Sequence, residues 1–327
     1  MLLHSKLLSF DDVSLSPQYS EIESRANPDL TSRLSESVTL NHPVIATNMA
    51  AVFSVGMMYS LDQSGGIAIA HRFMKKEQLI ELAIDNPCKY FPFSIGIKDE
   101  DYILAQELFY ALGDKAIVLI DIAHGHSKKM GEFVSKIKSI GFHTVIAGNV
   151  ATPEGYLFLN ECGADAVRVG IAGGKACTTK YITGHHIPTL QSVLDCADVK
   201  KNAKIIADGG ISTSGDAVKA IAAGADFVCL GSVFAATSKS HAHLKTINDK
   251  TYKVYYGMSS QSAIDTFFPG RKSHVAPEGD TLEIPYTGET DDVLYRFLAG
   301  IKSALTYSGC KNLDEFRENA ILLTKNL

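Results

Sequence analysis

Residues 204–232, KIIADGGISTSGDAVKAIAAGADFVCLGS, hold two short apolar runs on either side of a segment with helical spacing. The runs cover 204–207 and 226–230, and the spacing predicts a helix over 215–223. Near-continuous apolar strands joined by an amphipathic helix are typical of a parallel sheet whose outer face is covered by helices. Residues 204–232 are therefore predicted to form a β-α-β unit with parallel strands.

Eight apolar runs of this kind occur along the chain. Those before residue 204 lie at 43–46, 66–70, 92–97, 116–120, 144–147 and 166–169, and further helices are predicted over 77–83, 102–112, 129–140, 153–162 and 190–196. Eight β-α units within about two hundred residues favour a closed barrel over an open, doubly wound sheet. We therefore expect the α/β class and a (β/α)8 TIM barrel, with residues 1–327 forming one domain.

The segment 232–288 follows the last predicted strand and is rich in Gly, Pro, Ser, Lys and His. Because this composition is irregular, we expect a mobile loop region there. Long structureless stretches in compact domains often serve as active-site lids. The segment is therefore predicted to be a lid inserted after the last barrel strand.

Composition limits the classes of partner and compartment. The net charge of -5 gives no basic surplus, which argues against nucleic acid as a principal partner. The six cysteines show no C-x-x-C pair and no zinc spacing, so reduced thiols in a cytoplasmic protein are expected. Residues 1–10 lack a long apolar run, so neither a signal peptide nor a membrane span is expected.

In a TIM barrel, functional residues gather on the loops that follow the strands. Two such loops, Asp208-Gly209-Gly210 and Gly231-Ser232, are suited to hold a phosphate, because glycine lets backbone N–H groups approach an anion. The alternative is that these glycines only form strand-to-helix turns. Their occurrence after both of the last two strands favours the phosphate site.

The loop 170–179, GIAGGKACTT, follows the sixth predicted strand and places Cys177 after several glycines. A catalytic cysteine needs access to substrate and a means of becoming a thiolate, and Lys175 together with backbone dipoles could supply that means. A loop cysteine without any role is the alternative. Glu278 in the predicted lid is either a surface charge or, if the lid folds over the barrel mouth, a group of the active site.

Taken together, these segments resemble the family of IMP dehydrogenases and GMP reductases over nearly the whole chain. Besides the loop 170–179, the matching segments are SFDDV at 9–13, SR at 24–25, residues 65–71, ADGGI at 207–211 and YGMS at 256–259. The resemblance implies that Cys177 attacks C2 of the purine in a covalent mechanism. It also implies that Thr179 and Glu278 relay the proton that expels ammonia.

The resemblance also implies a set of ligand contacts. Asp208 would hold the ribose hydroxyls of GMP or IMP. Further contacts to the nucleotide would come from Gly209, Gly210, Gly231, Ser232, Tyr256, Gly257, Met258, Ser259 and Gly279. The cofactor NADPH would be bound by Ser24, Arg25, Arg72, Asp121, Ile122, Ala123, Asn149 and Tyr307. A potassium ion would lie against Ala172, Gly174 and Cys177, and the expected assembly is a homotetramer.

Two features favour the reductase branch of this family. Only about twenty residues separate His71 from the strand at 92–97, which leaves no room for the regulatory CBS modules that dehydrogenases usually insert. The lid carries Arg271-Lys272 and not the Arg-Tyr pair with which dehydrogenases activate water. We therefore expect NADPH-dependent reduction of GMP to IMP. A dehydrogenase without CBS modules and a non-catalytic barrel that binds purine nucleotides are the alternatives.

The chain departs from the family pattern in the loop before Cys177. The usual Gly-Ile-Gly-Pro-Gly is here Gly-Ile-Ala-Gly-Gly, with Ala172 in place of a glycine, and Lys175 stands where serine is common. Alanine adopts a positive φ less readily than glycine. The conformation of Ala172 therefore bears on whether this loop can take the shape that holds potassium.

Overall fold

The computed structural model describes residues 7–269 and 276–325. Arg271 and Lys272 lie outside these ranges. The prediction that the lid lacks an Arg-Tyr pair therefore falls on residues that the structure does not describe. The strands are β1 (Val13–Leu15), β2 (Ser32–Arg33), β3 (Thr39–Leu40), β4 (Val44–Ala46), β5 (Ile67–Ala68), β6 (Phe91–Ile95), β7 (Ala116–Asp121), β8 (Thr144–Val150), β9 (Ala166–Val169), β10 (Lys204–Asp208), β11 (Phe227–Leu230), β12 (Leu244–Ile247), β13 (Lys250–Tyr256), β14 (Thr281–Pro285) and β15 (Leu322–Thr324).

The helices alternate with the strands through most of the chain. They are α1 (Val55–Ser64), α2 (Lys76–Ile84), α3 (Asp99–Leu112), α4 (Lys128–Lys138), α5 (Pro153–Glu161), α6 (Thr179–Ile182), α7 (Thr189–Asp198), α8 (Ser214–Ala222), α9 (Ser232–Ala235), α10 (Gln261–Phe267), α11 (Thr290–Tyr307) and α12 (Leu313–Asn319), with short 3-10 helices at Phe10–Asp12 and Gly113–Lys115. Each predicted helix overlaps an observed one, with ends that agree within three residues.

Eight strands form one parallel sheet in the order β5-β4-β11-β10-β9-β8-β7-β6. The two ends of this sheet meet just after β5, where Ala70 pairs with Phe93 of β6 in a parallel bridge. Hydrogen bonds of 2.9 Å run from the Ala70 amide to Pro92 and from the Ser94 amide to Ala70. The sheet is thereby closed into a barrel, and the predicted (β/α)8 fold is confirmed.

Successive side chains of a barrel strand point alternately into the barrel interior and outward to the layer beneath the helices. In β7, Ile117 and Leu119 belong to the interior cluster, whereas Val118 packs in the outer cluster. The β2–β3 hairpin closes the interior at the amino-terminal end of the barrel, where Ser35 lies 2.6 Å from Thr144 at the start of β8. A ligand pocket is therefore left to the opposite end, at the carboxyl ends of the strands.

Helix α4 illustrates why such segments pack on the outside of the barrel. Its buried residues include Met130, Phe133, Val134 and Ile137, which lie three, four and seven positions apart on one face. Each such side chain contributes about 1.5–3 kcal/mol of transfer free energy when it is fully buried. None of the helices in the described ranges has the length and hydropathy needed to cross a membrane.

The segment 232–288 follows the last barrel strand, as predicted for an inserted lid, but it is not irregular throughout. Strands β12, β13 and β14 pair in an antiparallel sheet, and α9 and α10 also lie within the segment. In β13, buried Lys253 and Tyr255 alternate with less buried neighbours. This period of two is a strand signal that the polar composition of the segment concealed. The mobility of the segment stays a prediction.

Candidate active site

A cavity of about 260 Å³ opens at the carboxyl ends of the barrel strands. Loops after most of the barrel strands contribute to its walls, together with the segment around Gly257 and Glu278 from the inserted lid. The predicted site residues that line the cavity are Arg72, Asp121, Ile122, Ala123, Asn149, Ala172, Gly174, Cys177, Thr179, Asp208, Gly209, Gly210, Gly231, Ser232, Gly257, Met258, Ser259 and Glu278. The fold thus brings together most residues of the predicted substrate and cofactor sites.

Cys177, Thr179 and Glu278 form one chain of hydrogen bonds at this cavity. The Thr179 hydroxyl donates to Glu278 Oε2 at 2.7 Å, and Cys177 Sγ lies 3.2 Å from the same hydroxyl oxygen. Because the Thr179 proton is directed to the carboxylate, the thiol is left as the donor of the other hydrogen bond. The thiol and the carboxylate are thereby connected through a single hydroxyl group.

Backbone hydrogen bonds hold the lid segment that carries Glu278 against the cysteine loop. The Thr178 amide donates to the Glu278 carbonyl at 3.0 Å, and the Asp280 amide donates to the Ala176 carbonyl at 2.8 Å. Cys177 pairs with Gly279 in an antiparallel bridge, so this predicted substrate residue lies beside the thiol although it is not part of the cavity wall. Glu278 therefore lies in the cavity wall beside the cysteine loop, and its role in the reaction stays a prediction.

The glycines after β10 and β11 form a close-fitting backbone cradle. A Cβ atom at Gly209 would lie 2.9 Å from the Gly174 amide nitrogen, and one at Gly210 would lie 3.1 Å from the Gly173 carbonyl oxygen. A Cβ atom at Gly231 would lie 2.9 Å from the hydroxyl of Tyr255. The absence of side chains there leaves backbone N–H groups and one hydroxyl available to an anion, as a phosphate site requires.

Tyr255 is a cavity residue that the sequence analysis did not identify. It is buried, its hydroxyl lies 3.2 Å from Met49 Sδ, and it lines the cavity, whereas its predicted neighbour Tyr256 does not. Successive side chains of a strand point to opposite faces, so only one of two adjacent tyrosines in β13 can face the cavity. The alternation from Lys253 to Tyr255 is the signal that could have identified it.

A buried guanidinium lies beneath the cavity and was also missed. Arg168 of β9 donates to Asp208 at 2.6 Å, to Asp121 at 3.3 Å and to Asn48 at 2.8 Å. Burial by itself lowers the pKa of an arginine, but the carboxylates of Asp208 and Asp121 outweigh that effect and raise the pKa of Arg168. An arginine inside an otherwise apolar strand was the available sequence signal, because such a charge needs buried partners.

Asn149 contacts Asp208, the residue predicted to hold the ribose, and lies on the side of the cavity that carries the predicted cofactor residues. Its side-chain amide donates to Asp208 at 2.7 Å and to the Gly170 carbonyl at 2.8 Å. The oxygen of the same amide is buried without a hydrogen-bond partner in the described part of the chain. Asp121, Ile122 and Asn149 line one wall, and this unpartnered acceptor fits a ligand that carries donor groups.

Three predicted cofactor residues lie away from the cavity. Ser24 and Arg25 are exposed in the segment that precedes β2, and Tyr307 is 62% exposed at the end of α11. Lys302 of α11 donates to the Ala26 carbonyl at 2.8 Å, so the segment that holds Ser24 and Arg25 contacts the helix that ends at Tyr307. Within a single chain, these residues are not brought together with Cys177.

Ala172 has a φ of 60°, in the left-handed region where glycine is usual. The loop before Cys177 thus takes a glycine-like conformation in spite of the alanine. The Cys177 amide donates to the Gly174 carbonyl at 3.0 Å, which leaves this oxygen a second lone pair for a cation. No cluster of three or more His, Cys, Asp or Glu side chains suited to a metal ion was found in the described ranges, so a cation in this loop would depend on backbone carbonyls.

Comparisons with known proteins agree with this geometry. The family model described as "IMP dehydrogenase / GMP reductase domain" matches residues 7–326. "GMP reductase 2" of Bos taurus is 37% identical over 317 residues, which are 94% of this chain and 91% of that protein. "GMP reductase" of Caenorhabditis elegans is 35% identical over 97% of this chain and 91% of its own length. The protein of the same name from Shewanella pealeana is 34% identical over 97% of this chain and 94% of its own length. The chain therefore belongs to the IMP dehydrogenase / GMP reductase family.

Proposed function

We propose that this chain is a GMP reductase, which converts GMP, NADPH and one proton to IMP, ammonia and NADP+. The observation that carries the proposal is the hydrogen-bonded chain from Cys177 through Thr179 to Glu278 at the barrel mouth. The names of the three relatives given above support the reductase over the dehydrogenase. A barrel that only bound nucleotides would need neither the thiol nor the carboxylate.

The first chemical step uses this chain of hydrogen bonds to prepare the nucleophile. The thiol proton of Cys177 passes to the Thr179 oxygen as the Thr179 proton passes to Glu278. The products of this transfer are a thiolate and a protonated carboxyl group. The thiolate is the nucleophilic form of cysteine, and it adds to C2 of the purine.

The same proton then serves the leaving group. When the C2–N bond of the amino group breaks, Glu278 returns its proton through Thr179, and ammonia leaves as a neutral molecule or, with a further proton from solvent, as ammonium. The purine remains bound to Cys177 through a C–S bond. With NADPH bound, hydride would replace the C–S bond at C2 and release IMP and the Cys177 thiolate. One proton taken up from solvent would then restore the thiol for the next cycle.

Binding groups are distributed around the reacting carbon. Asp208 would accept hydrogen bonds from the ribose hydroxyls, while the glycine cradle with Ser232 and Tyr255 would hold the phosphate. Arg168 fixes the Asp208 carboxylate in place through its 2.6 Å contact. The Asp208 carboxylate is then oriented before the nucleotide arrives, which reduces the entropy cost of binding.

We extend the proposal to the cofactor and the cation. NADPH, when bound, supplies the hydride that replaces the amino group. Asp121, Ile122, Ala123 and Asn149 would hold it on their wall of the cavity. A potassium ion would be bound by backbone carbonyls of the loop from Ala172 to Cys177.

We also propose a cytoplasmic homotetramer. The six cysteines are all free thiols, which suits a reducing compartment. Ser24, Arg25 and Tyr307 lie on an exposed region outside the cavity, so their predicted contact with cofactor would require a second copy of the chain. Sedimentation of the purified protein at several concentrations tests the assembly.

Two assays on the purified protein test the activity by following the near-ultraviolet absorbance of reduced nicotinamide. With GMP and NADPH the absorbance should fall, and one ammonia should be released for each NADPH consumed. A rise with IMP and NAD+ would instead identify a dehydrogenase. No change in either assay, with GMP still bound, would identify a non-catalytic nucleotide-binding barrel. Repeating the assays with NADH and with sodium in place of potassium tests the cofactor and the cation.

A further inference from the structure

We propose that Lys175 is the charged group that binds the phosphate of the nucleotide, and thereby distinguishes a nucleotide from the corresponding nucleoside. This inference rests on the proposed function, because it concerns the substrate of the same cavity. The other groups of the phosphate cradle are the backbone amides of glycines and the hydroxyls of Ser232 and Tyr255. A phosphate monoester carries a charge of about -1.5 to -2 at neutral pH, so a cation beside these neutral donors would strengthen binding.

The position of Lys175 in the fold places it beside this cradle. The two residues before it, Gly173 and Gly174, pack so closely on Gly209 that a Cβ atom there would lie 2.9 Å from the Gly174 nitrogen and 3.0 Å from the Gly173 carbonyl carbon. Lys175 is the next residue in the chain and lines the same cavity. Its side chain is exposed, with no carboxylate partner among the described residues.

The two other basic residues of the cavity wall are already engaged. Arg168 is buried and bound to Asp208 and Asp121. The guanidinium of Arg72 lies 4.9 Å from the ring centroid of Phe73, on the β5 side of the barrel mouth. Lys175 is therefore the basic side chain of the described cavity wall that is free to meet an anion at the cradle.

A second role for Lys175 would be to favour the thiolate of Cys177, two residues further along the loop. A cation near a thiol lowers the pKa of that thiol and speeds its alkylation at neutral pH. This role and the phosphate role predict different results for the same variant. Loss of affinity for GMP alone is expected for a phosphate ligand, whereas slower alkylation of Cys177 is expected for thiolate activation.

The test compares Lys175→Met with Lys180→Met, a matched control in the same loop region. Lys180 is exposed, lies 5.0 Å from the ring of its neighbour Tyr181, and is not part of the cavity wall. Equilibrium binding of GMP and of guanosine is measured by calorimetry for each protein at low and moderate salt. Thermal melting confirms that the variants fold, and the rate of Cys177 alkylation by iodoacetamide is measured in parallel.

We expect Lys175→Met to weaken GMP binding about tenfold and to reduce its salt dependence, because one charge-assisted hydrogen bond is lost. Guanosine affinity and the alkylation rate should be unchanged, and Lys175→Arg and Lys180→Met should bind GMP as the unsubstituted protein does. Unchanged GMP affinity in Lys175→Met, or an equal loss of affinity for guanosine, would overturn this inference and leave the proposed function in place. Failure of the unsubstituted protein to bind GMP would overturn the proposed function with it.

Discussion

Thr179 donates a 2.7 Å hydrogen bond to Glu278, a residue 99 positions further along the chain. Since the sulfur of Cys177 lies 3.2 Å from the same hydroxyl, Thr179 connects the barrel loop to the inserted lid. The lid must therefore pack on the loop for the thiol and the carboxylate to exchange a proton. Catalytic competence and lid position are consequently linked in this fold.

Replacing Thr179 with valine should lower kcat for GMP reduction about a hundredfold or more. Valine keeps the shape of threonine but removes the hydroxyl that relays the proton. GMP affinity should change little, because the hydroxyl contacts protein groups. Steady-state kinetics together with GMP binding measure the effect. Thr178→Val is the matched control, since Thr178 contacts the Glu278 carbonyl through its backbone amide and should retain activity.

Replacing Cys177 with alanine should abolish turnover and leave GMP affinity nearly unchanged, because the thiol forms the covalent bond and not the pocket. Iodoacetamide should inactivate the unsubstituted protein, and GMP should protect it. The control is Cys162→Ala, because Cys162 and Cys177 are the two half-buried thiols and the other four are buried. Measurable turnover in Cys177→Ala would remove the thiol from the mechanism.

Replacing Tyr255 with phenylalanine should weaken GMP binding about tenfold, because the hydroxyl beside Gly231 would no longer be available to the phosphate. Tyr256→Phe should bind GMP normally, since Tyr256 does not line the cavity. Calorimetric titration with GMP and guanosine distinguishes the two variants. The opposite ranking would mean that β13 presents its other face to the nucleotide.

The barrel could be predicted because its signals are local. Each strand is a short apolar run, and α4 shows the spacing of a helix with one buried face. The lid could not be predicted in the same way, because β12, β13 and β14 pair across a segment whose composition is polar. Strand pairing of that kind depends on partners distant in sequence, and the polar composition masked the alternation.

The site was predicted unevenly for related reasons. Cys177 and Glu278 were candidates because of the loop and the lid that hold them, but Thr179 and the relay among the three came only from the resemblance, since nothing local indicates that residues 177 and 278 meet. Arg168 and Tyr255 were missed because each lies inside a strand, where its role depends on which face of the strand it occupies. The alternation of exposed and buried residues can identify that face once the strand itself is recognised.

Replacing Ala172 with glycine should destabilise the fold less than Ala176→Gly does, by about 1–2 kcal/mol, because both substitutions remove a buried methyl group but only Ala172 has a positive φ. Ala172 has a φ of 60°, and an alanine in the left-handed region is strained by about 1–2 kcal/mol, whereas the greater chain entropy of glycine when unfolded affects both substitutions alike. Urea unfolding measures the change. Ala176→Gly, in the same loop and without a positive φ, is the matched control. Equal destabilisation by the two substitutions would show that Ala172 is not strained.

His42 should make the fold less stable as the pH falls from about 6.5 to about 4. The ring is buried, Nδ1 accepts a hydrogen bond from the Val44 amide at 3.3 Å, and Nε2 lies 3.0 Å from the Ser64 hydroxyl. Protonation of Nδ1 would break the bond to Val44. Burial disfavours the charged ring and lowers the pKa of His42 from 6.5 to about 4.

The sign of the effect follows from proton binding. Between these two pKa values the unfolded chain binds a proton that the folded chain excludes, so the free energy of unfolding decreases as the pH is lowered, by up to about 3 kcal/mol in total. Replacing His42 with asparagine should remove this contribution to the pH dependence of the free energy of unfolding. The contribution of other groups should remain, among them His71, whose pKa is also lowered to about 4 by its burial and by the charge of His241. Urea unfolding near pH 7 and near pH 5 measures the slope, and His143→Asn is the control because His143 is exposed. Equal losses of stability in His42→Asn and the unsubstituted protein would mean that His42 takes up its proton without disturbing Val44.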